Sequence, residues 1–445
     1  MRKCMKVLGV LIGIIAVGLV SSAASEQEEV QQWLNEIRAK YSGTTLTALV
    51  ASHPSIEAFQ TMTPEFEEAT GIKVRWDVVE EGLLADKAHM ALGTGIYDIE
   101  MNCIEFNPGY VERGGLIDLT PYIEQAPTWF DYKDIPLCYR NLLTYKGGIY
   151  GIPFAGETVF VMYRKDVFQR YGKEPPETFA DLLSLAQFFS GKDWDNDGEP
   201  ETGISFRIRR GWEATYMWSV FIFPFGGSIV DPETMRPTLN APGTIESLEY
   251  LVELARYGPE GIEAFSFPEA WSAFMQGKVP LMVEASAAAP EIENPEKSIA
   301  AGLTGYCKMP EGPAGAYSGV WGWGFSIPSD SRHKEAAWAL IAWLTSKYNG
   351  PRYVAAGGIP SRTSILKSPQ YQEEYPYYHA LLETLQEASA LTSEGYTVVP
   401  KTPQWMELSD MIGLYVSQAV VGELTPEEAC NMMQKEAEEI LGSEE

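Results

Sequence analysis

Between Thr44 and Val79 the chain reads as a strand, a helix and a second strand, and that order leaves few folds open. "TTLTALVA" is a β-rich apolar run, and "PEFEEATG" is a helix stopped by Gly71. "IKVRWDVV" then sets Ile72, Val74, Trp76 and Val78 against Lys73, Arg75 and Asp77. A helix crossover lays the second strand parallel to the first, so the expected class is α/β.

The alternation continues with helical "LADKAHMALGTG", a strand at "DIEMNCI" and a loop-rich stretch up to "KGGIYGIPF". Beyond Phe154 a second set begins. "TVFVMYR" reads as a strand, "ETFADLLSLAQFF" as a helix started by Thr178 with Asp181 three residues on, and "GISFRI" as a further strand after an acidic loop. Two lobes fit this order better than one continuous sheet. The segment "TIESLEYLVELARYG" spaces Ile245, Leu248, Leu251 and Leu254 for a core face before Gly258, and "KEAAWALIAWLTSKY" reads as a largely buried helix. Residues 25–43 are polar, with Val30, Trp33, Leu34 and Ile37 at helical spacing, which suggests a leading helix or spacer. With 445 residues, 45% of them hydrophobic, the chain can bury the cores of two or three domains.

The first 24 residues have the form of a secretory signal: basic Arg2, Lys3 and Lys6, the apolar run Val7 to Val20, and small residues for cleavage after Ala24. The protein is expected to be exported to the periplasm or the exterior. A retained signal would instead anchor it to the membrane. Loss of those three basic residues takes the net charge from −28 to −31, which repels nucleic acid and anionic lipid. Cys103, Cys138, Cys307 and Cys430 are too sparse for a disulfide framework and never form a CxxC pair, leaving open a single Cys103–Cys138 bond. The histidines lack the i, i+4 spacing of a zinc-binding helix, so metal catalysis through histidine is not expected.

"DWDNDGEPETG" begins like an EF-hand calcium loop, with Asp193, Asp195 and Asp197 followed by Gly198. The twelfth position, where a bidentate glutamate belongs, is Ile204. The loop is therefore no EF-hand. The three aspartates could still chelate a structural Ca2+ or another hard cation with the carbonyl of Glu199 and with Glu201 or a remote carboxylate, or form an acidic turn without a metal. No cofactor is required on either reading.

Read in order, "FEEATGIKV", "GGLIDLTPYI", "YGIPFAGETVFVMYRKDVF", "WSAFMQGKVPLMVEAS", "GVWGWGFSIP", "AAWALIAWLTS" and "GGIPSRTSIL" resemble the family 1 extracellular solute-binding proteins of ATP-binding-cassette transporters. The final "GELTPEEACNMMQKEAEEIL" is similar to that class as well. The resemblance implies a two-lobed, class II periplasmic-binding-protein-like fold with hinge crossovers near Gly151–Phe154, Ser318–Trp323 and Ala356–Ile359 and a ligand cleft between the lobes. It assigns 44–153 and 320–356 to lobe 1, and 154–319 and 357–445 to lobe 2. It also implies a monomer that captures a carbohydrate and delivers it to the permease subunits. "RIRRGWEATYMW" is most similar to members that bind sugar alcohols and monosaccharides.

A sugar offers C–H faces to aromatic rings and hydroxyls to donors and acceptors, so its site needs rings beside charged groups. In "GVWGWGFSIP", glycines allow close backbone approach, and Trp321 and Trp323 are expected on opposite sides of an extended segment, with at most one facing the ligand. Glu80, Glu81 and His53 follow strands at their carboxyl ends, where open α/β sheets bind ligands. The resemblance adds Glu157, Asp98, Arg207 as donor, Trp212 as stacking ring, Glu284 where relatives often carry aspartate, Arg362 and Trp405.

Two other classes compete. A secreted glycoside hydrolase would share the acidic, Trp-rich composition and could set carboxylates such as Glu81 and Glu157 across a glycosidic bond. An iron-binding protein would use adjacent tyrosines such as Tyr377 and Tyr378, but neighbours on a helix diverge by about 100°, which favours local packing. An oligosaccharide is the other carbohydrate alternative.

Overall fold

The computed structural model describes residues 24–194 and 198–442. The signal segment up to Ala23, and the candidate ligands Asp195 and Asp197, lie outside the described residues. The chain divides into two units, the first comprising residues up to 101, 115–132 and 325–358, the second 102–114, 133–324 and 359 onward. The chain therefore passes between units at 101/102, 114/115 and 132/133, and not near Gly151–Phe154. Residues 133–153, expected in the first lobe, belong to the second because the helix Leu137–Leu142 packs on the helix Tyr378–Ser393 and on the long strand from Ile152. The two later crossings fall at 324/325 and 358/359.

In the first unit, Thr45–Ala51 (β1) runs parallel to Lys73–Val79 (β2) and to Ile99–Cys103 (β3), with Leu49 beside Asp77 and Glu100. The connecting helix is longer than its sequence signal and runs from Pro54 to Thr70 straight through Pro64. Pro54 needs no N–H at the first turn, the His53 ring nitrogen Nδ1 accepts the N–H of Ser55 at 3.1 Å, and Gly71 closes the other end at φ 72°. Phe59 stacks on Tyr353 at 4.7 Å, and Phe66 meets Trp343 of the helix Lys334–Leu344, which is buried from Ala336 to Leu344 as its apolar density implies. Residues 24–41 form a helix that belongs to this unit and is no spacer. Val30 and Leu34 are buried, and Trp33 meets Trp129 edge-on at 5.0 Å.

The second unit holds a separate two-stranded ribbon, Thr144–Tyr145 (β4) with Gly148–Ile149 (β5), ahead of the thirteen-residue strand Ile152–Arg164 (β6). Leu281–Ala285 (β7) and Thr304–Cys307 (β8) pair antiparallel with β6, and Phe160 stands opposite Glu284. The capping box of the helix Phe179–Phe189 forms as expected between Thr178 and Asp181. "GISFRI", expected as a strand, is an extended segment that pairs with β7 only at Ser205. The ladder stops there because the N–H of Arg207 turns to the carboxylate of Glu284 in place of a backbone carbonyl. Val320–Ser326 (β9) carries the chain out of this unit. Gly322 and Gly324 are required there: a Cβ at either would stand 2.5 Å from Ala155 O or 2.7 Å from Ile152 O on β6.

Candidate functional site

In the second unit the chemistry collects around one buried ion pair. Glu284 on β7 is 0% exposed and Arg207 is 4% exposed. Arg207 Nε and Nη2 both donate to Glu284 Oε1, at 2.8 and 2.5 Å, and the N–H of Ala285 donates to the same oxygen at 2.7 Å. Burial opposes the Arg207 charge, but Glu284 outweighs it and holds the guanidinium protonated above its usual range. Glu284 thus orients Arg207.

Aromatic rings set the position of the guanidinium. Its carbon lies 4.2 Å from the ring centre of Tyr216, 4.4 Å from Phe267 and 5.8 Å from Trp212. Trp212 and Tyr216 are four residues apart on the helix Trp212–Ile222, so both project to the same side. Trp212 is 49% exposed at the helix start, which suits a stacking platform. Arg209 and Glu213 add an ion pair at 2.8 Å next to this cluster.

Trp321 and Trp323 are two residues apart on β9, and a strand repeats every two residues, so they share a face and do not take opposite sides. Trp321 is buried against Tyr216, with ring centres 4.0 Å apart, and Trp323 is half-buried near Phe106 at 6.5 Å. Trp321 therefore supports the ring that supports Arg207. Glu157, half-buried on β6, influences Tyr139, Tyr216 and Arg207 electrostatically. Trp405 is buried at the start of the helix Trp405–Val420, and Arg362 is buried at the start of the turn Thr363–Leu366.

Tyr139, Tyr216, Phe267 and Glu105 are site neighbours that the sequence did not single out. Glu105 was accessible to the rule that selected Glu80 and Glu81, since it follows the carboxyl end of β3, and its charge reaches Tyr216. Tyr216 carried a signal too, four residues after Trp212 on one helix.

The first-unit candidates separate into two groups. Glu80 and Glu81 are exposed beyond the carboxyl end of β2, and His53 stands beyond that of β1. His53 serves as helix cap, and burial pushes its imidazole down to about 4. Asp98 precedes β3, at the amino end of the strand, and is not gathered with them. Its Oδ1 accepts from Ser331 Oγ at 2.7 Å and its Oδ2 from the N–H of Thr47 at 3.0 Å, which makes it a brace of the sheet.

The acidic loop is closed by the bridge between Lys192 and Glu201. Asp193 Oδ2 accepts the N–H of Gly198, which has φ 94°, and Glu201 Oε2 accepts the N–H of the buried Trp194. Glu199 is exposed. Among the described residues no three His, Cys, Asp or Glu side chains come together to hold a metal. Among the described residues Cys103, Cys138, Cys307 and Cys430 are free thiols. Tyr377 and Tyr378 are buried and pack on each other and on Tyr375, as the helical divergence of neighbours implies.

Residues 51–350 match the family model of the bacterial extracellular solute-binding proteins. The chain is 26% identical over 403 residues to a mannitol-binding protein of Pseudomonas aeruginosa, covering 86% of this chain and 90% of that protein. It is 27% identical to an erythritol/L-threitol-binding protein of Mycolicibacterium smegmatis, covering 82% of this chain and 79% of the relative. An ABC transporter solute-binding protein of Agrobacterium radiobacter K84, solved in complex with ribitol, superposes with a TM-score of 0.77 at 27% identity, covering 90% of this chain and 99% of that one. The chain belongs to the bacterial extracellular solute-binding protein family.

Proposed function

We propose that this protein captures a neutral sugar alcohol or monosaccharide outside the cytoplasmic membrane and delivers it unaltered, as a monomer, to the permease subunits of an ABC transporter. The observation that carries this reading is the Arg207 guanidinium, fixed by Glu284 and ringed by Tyr216, Phe267 and Trp212. Such a donor is pre-oriented and loses little freedom when a hydroxyl binds. The ring arrangement favours a small ligand over an oligosaccharide. A long glucan needs several open rings, whereas here Trp212 is exposed and Tyr216 and Trp321 are buried against each other. The polyol-binding relatives support the same choice. The hydrolase alternative has no support among these relationships.

Calorimetric titration with ribitol, mannitol, erythritol and maltotriose, followed by mass analysis of the recovered ligand, tests the proposal. Saturable binding of a polyol or monosaccharide, recovered intact, is the expected result. Binding of maltotriose alone, or recovery of a shortened sugar, would sink it.

We further propose that the loop beginning at Asp193 holds a hard cation as a brace, with an export signal removed ahead of the folded chain. Chelator is then expected to lower the melting temperature, with calcium restoring it and ligand affinity changing little. An identical melting curve with and without chelator would leave the loop a plain acidic turn.

A further inference from the structure

On the helix Trp212–Ile222 the buried hydroxyls of Thr215 and Ser219 and the indole N–H of Trp218 are satisfied within the protein. Thr215 Oγ1 donates to Ser409 O, Trp218 Nε1 to Ser247 Oγ, and Ser219 Oγ to Tyr216 O. The phenol of Tyr216 is the contrast: the residue is 6% exposed, and its Oη has no hydrogen-bond partner among the described residues. Buried hydroxyls are rarely left in that state, because each gives up its water without return.

The ring cannot swing away to find a partner. It is held between the Arg207 guanidinium at 4.2 Å and the Trp321 ring at 4.0 Å, with Trp212 edge-on at 6.2 Å. Arg207 spends Nε and Nη2 on Glu284, so its guanidinium is fixed in orientation beside the phenol. An immobilised phenol and a guanidinium edge thus belong to one rigid stack.

We propose that Tyr216 is a specificity-determining residue, its phenol hydroxyl reading one hydroxyl of the bound polyol or sugar. The proposal rests on the carbohydrate reading above. A neutral phenol both donates and accepts, which is the pattern of an alcohol group, and an anion does not match it. Burial and the charge of Glu157 keep the phenol protonated far above its ordinary range. A ligand with a hydroxyl at that position satisfies the orphan group, and an analogue without it leaves the phenol unpaired.

The test is Tyr216→Phe, which keeps the ring stack and removes only the hydroxyl. The ligand is whichever of ribitol, mannitol or erythritol binds the wild type most tightly. Its dissociation constant is expected to rise at least tenfold, while the melting temperature without ligand stays the same or increases. Against single-deoxy analogues, the wild type is expected to discriminate strongly at one position where the variant does not, a coupling that a packing role cannot produce. Equal affinity of variant and wild type would overturn the proposal and leave the carbohydrate reading standing. A fall in the ligand-free melting temperature by several degrees would overturn it as well, since the hydroxyl would then serve the fold. If the wild type binds no polyol or sugar, both readings fall together.

Discussion

Glu284→Ala is expected to lower the melting temperature by on the order of 10 °C and to abolish ligand binding, because it leaves the Arg207 charge buried without its partner. Breaking one side of a buried pair costs about 3–5 kcal/mol, mostly as the penalty of the stranded charge. A double replacement separates the two consequences. Arg207→Met with Glu284→Leu removes both charges, so most of the lost stability should return while binding does not. Thermal melts and calorimetry of the wild type, the single variant and the double variant read this directly. A single variant that melts within a degree or two of the wild type would show that Arg207 is not held as described. A double variant that still binds would remove Arg207 from the site.

Glu100→Gln is expected to stabilise the protein at pH 8 and to leave it nearly unchanged at pH 4. Glu100 lies on β3 beside Leu49 of β1, is 2% exposed, and its Oε2 has no hydrogen-bond partner among the described residues. Burial, aided by the nearby charge of Asp330, pushes its carboxyl up to about 8 from an ordinary 4.5. The folded state therefore holds the proton more tightly than the unfolded state. Below about pH 4.5 both states are protonated and nothing is lost. As pH rises toward 8, stability falls by up to about 1.4 kcal/mol per pH unit, and above 8 the loss levels off. Glutamine has the same shape and no proton to lose, so the gap between variant and wild type should open across that window, to on the order of 2–4 kcal/mol. Melting temperatures of both proteins from pH 4 to 9 give the comparison. A gap that stays constant with pH would mean that Glu100 does not titrate in this range.

Much of the fold was legible because its signals are local. The strand ending at Ala51, the stop at Gly71, the capping box at Thr178 and the buried run from Ala336 to Leu344 each follow from neighbours within one turn or one strand. The length of the helix beginning at Pro54 was not, because a proline inside a pattern reads as a start. Here the proline sits in a helix already capped by His53 and held by the packing of Phe59 and Phe66. The loss of a strand at Arg207 was not legible either. It depends on Glu284, 77 residues away, capturing a backbone N–H.

The candidate site divides along the same line. Residue types were readable: rings spaced by glycines, an arginine beside a tryptophan, and carboxylates after strands. Their roles were not, since a role depends on which partner reaches the side chain first. Asp98 is consumed by Thr47 and Ser331, and Glu284 by Arg207; Trp321 packs behind Tyr216, whose own hydroxyl stays open. The sequence by itself determined the α/β class, the family and the kinds of group available for a sugar. The tertiary structure alone decided which of those groups brace the protein and which remain to meet a ligand. Hydrogen bonds and ring contacts between residues distant in the chain make that choice, and local pattern carries no record of them.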